Sequence, residues 1–468
     1  MSQFAWTDRS VRQALSLNAN LVDPSLEFTG VSTDSRSIEE GTLYVALMGE
    51  RFDGHDFVVD ALAKGAAGAV VSRPVETNPS APLYPVDDTL VALGSLASFR
   101  RKALNVPVVA ITGSVGKTTT KDLTRAALGM TRTVHATPDN LNNRIGVPLT
   151  LLSMPTEVDV IVVEMGSNEP GEISTLSAIA RPDIAVVTTV GESHLDRLGS
   201  FEGVLDEKLD LFRSMTEGGR CVVGDEPVEL VEAAQAICSD LRIAGYSKRA
   251  DPDLRPPKQF ETDVFGAPRF EWRGHTVTLA LPGPHSVVNA LISLAISELV
   301  GVRPRDAVRG LASAEVSPLR SEIRQIGDVR VIADCYNSNP QSLRAALEVL
   351  IAHPGNSRTV AVLGTMLELG NEAARLHEET LEYALDLNID LVVATGGFAE
   401  AAEALEVDEP EVIRSRDWNT AYPALRDWLK GDEVLLLKAS RGIALEAMLP
   451  LLDSDFGSQG NGAVVGEA

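Results

Sequence analysis

Cysteine is scarce in this chain of 468 residues: Cys221, Cys238 and Cys335 are the only three. They are odd in number and lack a Cys-x-x-Cys spacing, so they outline neither a disulfide framework nor a zinc site. They read as buried, reduced thiols. Positive charge is also in short supply. Lys and Arg total 41 against 66 Asp and Glu, a formal net charge of −25, and at long range such a surface repels nucleic acid and anionic lipid. An anionic substrate must therefore meet a locally basic pocket or a nest of backbone N–H groups. Long apolar runs are missing too. No stretch approaches the roughly 20 apolar residues of a membrane span, and the opening MSQFAWTDRSV is acidic and polar where a signal peptide needs an apolar core. These absences predict a cytoplasmic protein without membrane insertion or nucleic-acid binding. No internal repeat is visible.

What is present is a globular balance of 44% hydrophobic and 23% charged residues, in a chain too long for one core and long enough for three domains. Residues 1–104 mix short apolar runs (LYVAL at 43–47, AAGAVV at 66–71) with turn-formers, as a small α/β domain would. RRKALNVP at 100–107, basic and closed by Pro107, reads as a hinge. Within 105–317, the runs VVAITG (108–113), DVIVVEMG (159–166) and IAVVTTVG (184–191) are strand-like. They alternate with helix-length segments such as NALISLAISELVG (289–301), ended by Gly301, and predict a mostly parallel sheet. A second break falls at SAEVSPL (313–319). Residues 318–452 hold four more apolar strands: VRVIADCY (329–336), TVAVLG (359–364), DLVVATGG (390–397) and EVLLLKAS (433–440). Pro340 should open a helix with Asn339 as its N-cap, burying Leu343, Leu347, Leu350 and Ile351. This part reads as a Rossmann-like α/β domain. The Gly-rich residues 453–468 are expected to be disordered.

The most informative segment is ITGSVGKTTTKDL at 111–123. A strand ends at Gly113, a short turn runs through Ser114, Val115 and Gly116, and Lys117, Thr118 and Thr119 begin a helix. Glycines let backbone N–H groups turn toward phosphate oxygens, and the helix N-terminus adds its dipole. Lys117 can reach β- and γ-phosphates, and Thr118 offers a hydroxyl to Mg²⁺. The loop is a short Gly-x-x-Gly-Lys-Thr variant of the central P-loop ATPase-like fold. No Asn-Lys-x-Asp element accompanies it, which leaves ATP rather than GTP as the nucleotide.

Further motifs follow in order: STDSRSIEEGTLYVALMGERFDGHDFV (32–58), TPDNLNNRIGVPLTLL (137–152), EMGSNEPGEI (164–173), GESHLD (191–196), DCYNSNPQS (334–342), VLGTMLELG (362–370) and LKASRG (437–442). Taken together with the loop they resemble the Mur ligase family over nearly the whole chain. The Tyr-Asn-x-Asn-Pro and Met-Leu-Glu-Leu-Gly elements are similar to those of the member that adds a D-alanyl-D-alanine dipeptide. The Asp-Asn-Pro-Arg element usual in the diaminopimelate- or lysine-adding member is absent. Ala439, Thr365, Ser286 and Ala333 depart from the residues most frequent in the family.

The resemblance implies an ATP-dependent amide ligase of peptidoglycan precursor synthesis, a monomer that joins D-alanyl-D-alanine to UDP-N-acetylmuramoyl-tripeptide through an acyl phosphate. It implies that Lys117, His194, Lys208 and Arg320 serve catalysis, with Arg320 on the γ-phosphate. ATP would further meet Gly113 to Thr119, Asn289 at the adenine and Asp334 at the ribose. The same resemblance puts Asp34, Ser35, Arg36, Asn142 and Asn143 on the UDP substrate, and Asn337, Asn339, Lys438, Ser440 and Arg441 on the amine. Mg²⁺ would lie near Thr118, Glu164, His194 and a carbamylated Lys208. Because Arg320 and Asp334 follow the second break and the phosphate loop precedes it, the site should be complete only where the two domains meet. Two alternatives stay open: a Mur-type ligase for another amine, including a folate-polyglutamylating relative, and a catalytically silent nucleotide-binding scaffold. The DSR…DGH stretch argues for a UDP-sugar; retention of Lys117, Glu164, His194 and Lys208 argues against the scaffold.

Overall fold

The computed structural model describes all residues except 1–4, 20–21, 50, 78–81, 217, 264–265, 354–356, 408–411 and 458–468. Three main sheets carry the fold, one for each stretch of alternating strand and helix patterns. The first is parallel, in the order Val31–Ser32, Leu43–Val45, Gly68–Val71, Leu83–Pro85. Its strands are short, and Tyr44, Ala69 and Val71 face a small core with Val58 and Ala61. Val45, Val70 and Tyr84 point the other way, toward Leu93 and Leu96 of the helix Thr89–Lys102.

That helix corrects the expected hinge. It runs through Lys102, and its last turn is anchored rather than mobile. Arg100 donates to Met154 O at 3.1 Å. Arg101 donates to Ala180 O, Arg181 O and Leu104 O at 2.9–3.1 Å and pairs with Asp183 at 3.0 Å. The last carbonyls of a helix have no partner within it, and Glu172–Ala180 ends where this guanidinium lies. The basic cluster therefore ties the first two domains together.

The central sheet is wholly parallel, in the order Leu241–Ala244, Arg220–Gly224, Ile184–Val187, Val108–Thr112, Val160–Glu164, Val134–Ala136. Its inner strands are apolar on both faces, as burial between two helix layers requires. Val109, Ile111, Val160, Val162, Ile184 and Val186 meet the helices Lys117–Gly129 and Pro284–Leu299. Val108, Ala110, Ile161, Val163, Ala185 and Val187 face the opposite layer. Val108–Thr112 enters first and sits in the middle, so later strands are added on either side of it. In open α/β sheets, ligands bind at the carboxyl ends of strands beside such a switch point.

The third sheet has the order Glu322–Ile326, Val329–Asp334, Val434–Lys438, Thr359–Leu363, Leu391–Thr395, Val412–Ser415 and is parallel except for its first strand. Asn339 caps the helix Pro340–Ile351, accepting from Ser342 N–H at 2.8 Å, and Leu343, Leu347 and Leu350 are buried as expected. Ile351 is not: as the last helical residue it has helix on one side only and is 40% exposed. The tail expected from residue 453 begins later, because Leu449–Phe456 is helical, with Leu452 buried and Tyr422 donating to Asp455 at 2.8 Å. Residues 458–468 of that tail lie outside the described residues. Cys221 and Cys335 are buried, whereas Cys238 at the end of the helix Val228–Ile237 is half-buried.

The anchoring of Arg101 predicts a stability cost. Arg101→Ala leaves the buried Ala180 carbonyl and two partly buried ones without their donor and should destabilise the protein by about 1–3 kcal/mol, while Lys102→Ala, at an exposed position, should change it by less than about 0.5 kcal/mol. Urea unfolding of both variants measures this, and equal midpoints would contradict an anchored junction.

Candidate functional site

The carboxyl ends of the second and third sheets face one another across a cavity of about 1160 Å³. On one wall is the phosphate loop. Gly113 has φ +144°, and a Cβ there would lie 2.1 Å from Thr188 Oγ1; Gly116 has φ +86° and would meet Asn289 Oδ1 at 2.8 Å. Both positions need glycine. The loop is pinned from beneath by Ser114 N–H donating to Thr189 O at 2.8 Å and by the Ser114 hydroxyl donating to Gly191 O at 3.0 Å. Lys117 opens the helix and donates to Gly113 O at 2.5 Å. Desolvation pushes its pKa down to about 8, helped by the nearby Arg320 and opposed by Glu164.

Glu164 ends its strand in register with Ile111, beside the start of the loop. Its Oε1 accepts from Asn142 Nδ2 at 2.8 Å, and its Oε2 is buried without a hydrogen-bond partner. Thr118, Glu164, Asn142, Asn143, His194 and Asn289 all line the cavity. Asn143 Oδ1 is already used, accepting from Ile145 and Gly146 N–H at the start of the helix Gly146–Leu152. Asn289 lies in the helix Pro284–Leu299, where its Oδ1 accepts from Thr120.

Lys208 is not part of the cavity wall. It lies on the helix Phe201–Arg213, 1% exposed, and donates to Ser167 Oγ at 2.6 Å. Ser167 does line the cavity. Desolvation, reinforced by the charge of Lys117, pushes the Lys208 pKa down to about 7 against the pull of Glu207 and Glu172. This burial sets Lys208 apart from an ordinary exposed helix lysine.

The opposite wall comes from the third sheet, whose register puts Asp334 beside Lys438. Their side chains pair at 3.0 Å, and Asp334 Oδ1 also accepts from Ser321 N–H at 3.2 Å. Arg320, Asp334, Asn337, Asn339, Lys438 and Arg441 line the cavity. Asn339 spends its side-chain oxygen on the helix cap. Ser440 is absent from the wall: it is buried, accepts from Leu367 N–H at 3.0 Å and donates to Ser338 O at 3.4 Å. Its hydroxyl is thus engaged with the backbone of two neighbouring segments.

The two walls touch directly. His194 Nδ1 lies 2.7 Å from Glu368 Oε2, and Gln341 donates to Thr189 Oγ1 at 2.9 Å. Glu368 and Gln341 line the cavity too. Neither had been singled out, although Glu368 lies within the Met-Leu-Glu-Leu-Gly element; nothing in an isolated acid announces a histidine partner 174 positions away. Ser167 was likewise hidden inside EMGSN.

Asp34, Ser35 and Arg36 stand apart in the first domain. Arg36 is highly exposed and pairs with Asp34 at 2.7 Å, which holds the Asp34 carboxyl down at about 2. Lys64 donates to Ser35 O at 2.8 Å. The structure thus brings most of the residues expected at the nucleotide, metal and amine around one cavity, with Lys208 just behind Ser167 and with Gly113 and Ser440 outside the wall, and leaves Asp34, Ser35 and Arg36 elsewhere. The four departures from the family pattern do not reach the cavity wall. The Ser286 hydroxyl donates to Leu281 O and Gly283 O, Thr365 Oγ1 accepts from Gly397 N–H, and Ala333 and Ala439 are buried.

Three family models match successive parts of the chain: "Mur ligase family, catalytic domain" over residues 27–101, "Mur ligase middle domain" over 111–297, and "Mur ligase, glutamate ligase domain" over 319–441. The UDP-N-acetylmuramoyl-tripeptide--D-alanyl-D-alanine ligase of Bacillus subtilis is 35% identical over 444 residues, 92% of this chain and 95% of that protein. A crystal structure of MurF from Acinetobacter baumannii superposes with a TM-score of 0.88 at 31% identity, covering 97% of this chain and 100% of that one. The MurF ligase of Thermotoga maritima, solved in complex with ADP, gives 0.81 at 28% identity over 91% of this chain and 97% of the other. From the phosphate loop to the last strand, then, the cavity is built on the scaffold of these enzymes, and the chain belongs to the Mur ligase family.

Proposed function

We infer that this protein is an ATP-dependent ligase that joins D-alanyl-D-alanine to UDP-N-acetylmuramoyl-tripeptide in peptidoglycan precursor synthesis. The observation that carries the reading is the cavity itself: a phosphate loop on one wall faces the Tyr-Asn-Ser-Asn-Pro element and Lys438 on the other. Likeness over more than nine-tenths of the chain to ligases of that name supports it.

Making an amide from a carboxylate at neutral pH requires activation. A carboxylate oxygen of the tripeptide attacks the γ-phosphorus of ATP, the bond to the bridging oxygen breaks, and ADP leaves. The dipeptide amine then attacks the acyl carbon, phosphate departs, and the nitrogen loses a proton. The first step presses two anions together, so alignment and positive charge are the main demands. Lys117, the loop N–H groups and Arg320 meet them from both walls. Closing the two walls over bound substrates would keep out water that hydrolyses an acyl phosphate.

The donor set fits magnesium. Glu164 offers a buried oxygen without a partner and Thr118 a hydroxyl, the hard oxygen ligands such an ion takes along with substrate phosphates. When bound, the ion would neutralise charge developing on the phosphates. His194, oriented by Glu368, stands nearby on the same wall. Lys208 suits a carbamate: its neutral amine adds to CO₂, giving N–COO⁻ and releasing a proton. Burial favours that neutral amine. Asp34, Ser35 and Arg36 would take the UDP portion; the Arg36 fork suits a pyrophosphate.

Lys117→Ala removes a preorganised cation from the transferring phosphoryl group and should lower turnover about 10²–10³-fold while leaving the fold intact. Near-wild-type turnover would remove the loop from the ATP site.

For Lys208 the pH dependence has a definite sign. Below about 7 the amine is protonated and cannot add CO₂, so activity in CO₂-stripped buffer should fall as the pH drops through that value and recover on adding bicarbonate. Lys208→Ala should be nearly inactive and partly rescued by small carboxylates. Normal rates in Lys208→Ala would end the carbamate reading.

The amine identifies the enzyme. A site that pairs the dipeptide's amide and distal carboxylate leaves buried polar groups unsatisfied with a single amino acid, at about 1–3 kcal/mol each. Phosphate release with UDP-N-acetylmuramoyl-tripeptide should be at least ~100-fold faster with D-alanyl-D-alanine than with D-alanine, L-lysine, meso-diaminopimelate or L-glutamate. Preference for a single amino acid would keep the ligase and discard the dipeptide.

A further inference from the structure

An arginine that clamps a transferring phosphoryl group faces two conflicting requirements. Its long side chain must be held still, and its charge must stay free. Several guanidiniums in this protein are held by carboxylates: Arg12 by Asp8, Arg101 by Asp183, Arg358 by Glu433. A carboxylate fixes the geometry but cancels the charge. Arg320 is mounted differently. Among the described residues it has no acidic partner, and its buried Nε makes no hydrogen bond. Its guanidinium lies over the ring of Tyr336, 4.0 Å from the centroid.

The backbone beneath is fixed to match. Leu319 and Ser321, on either side of Arg320, have φ +60° and +51°, conformations that persist in non-glycine residues only where surrounding contacts enforce them. Here the contacts are Leu319 N–H to Glu322 at 2.9 Å, Ser321 N–H to Asp334 at 3.2 Å, and Tyr336 N–H to Leu319 O at 3.2 Å. The last of these ties the chain carrying the ring to the chain carrying the arginine. A second guanidinium, that of Arg441, lies 5.9 Å from the same centroid but is paired with Glu446. Of the two, only Arg320 keeps its charge uncompensated.

We propose that Tyr336 is the positioning residue for Arg320: its ring holds the guanidinium against one wall of the cavity while leaving the charge available to the phosphoryl group. The inference rests on the reading of Arg320 as the γ-phosphate clamp. It assigns the function to the ring rather than the hydroxyl.

The test is a double-mutant cycle on the full-length enzyme, following phosphate release with ATP and dipeptide each varied in turn at saturating concentrations of the other substrates, and with thermal unfolding recorded for every variant. Tyr336→Leu, which keeps apolar volume but removes the ring, should lower kcat about tenfold, with less change in the KM for dipeptide. Tyr336→Phe should recover most of that loss. In an Arg320→Ala background, Tyr336→Leu should cost less than about twofold more, because the residue it positions is gone. An equal loss from Tyr336→Leu in both backgrounds would overturn the proposal, and so would a Tyr336→Phe variant as impaired as Tyr336→Leu. If the Leu variant is too unstable to assay, Tyr336→Phe and Tyr336→Trp carry the same comparison, since both retain a π face and should both retain turnover. Arg320→Ala with wild-type turnover would remove the clamp itself, and the inference with it.

Discussion

Two anions have to be brought to bonding distance inside a protein whose own formal charge is −25. Much of the site's construction follows from that constraint. Cations must be concentrated at one place and shielded from the surrounding acids, yet not neutralised by them. Lys117 is desolvated and donates to backbone carbonyls, and Arg320 is stacked on a ring. The loop adds N–H groups that carry no counterion. Where neutralisation costs nothing to catalysis, the chain does use carboxylates, as at Arg101 between the first two domains.

Sheet topology makes the concentration feasible. Both large sheets open at their carboxyl ends toward the same cavity, and in each the critical residues are register neighbours: Ile111 with Glu164 in one, Asp334 with Lys438 in the other. Residues far apart in the chain are thus placed by backbone ladders rather than by flexible side chains. Insertion of Val434–Lys438 between Val329–Asp334 and Thr359–Leu363 brings the final strand into the middle of the third sheet. A residue from near the end of the chain consequently reaches the centre of the site.

How much of this was legible depends on how local the signal is. The phosphate loop, the Asn339 cap and the buried apolar strands are written in consecutive residues, and they appear where those residues predict them. Short or amphipathic strands such as Val134–Ala136, Leu241–Ala244 and the hairpin Pro268–Trp272/His275–Thr278 lack a long apolar run and went unrecognised. Polar residues misled in both directions. RRKALNVP at 100–107 reads as a hinge because basic side chains are usually exposed, but backbone carbonyls at Met154 and at the end of Glu172–Ala180 account for the burial of Arg100 and Arg101. Ser440, placed at the amine by the resemblance of its motif, has its hydroxyl bonded to the backbone of Leu367 and Ser338, which the sequence alone does not reveal. Pairings across the domain interface leave no mark in local sequence at all.

That interface contains a further economy of design. His194 and Glu368 face each other across it, and both hold left-handed backbone, at φ +53° and +65°. Such conformations cost about 1–3 kcal/mol each and endure where several contacts fix them together. Here the contacts come from the opposite domain: Asp196 N–H donates to Glu368 O at 3.4 Å, and Gly370 packs so closely on Asp196 that a Cβ would lie 3.0 Å from its Cα. The imidazole bonded to Glu368 is therefore oriented by the meeting of the domains rather than by its own helix. Arg320, over the ring of Tyr336 in the third domain, lines the same cavity as the phosphate loop of the second.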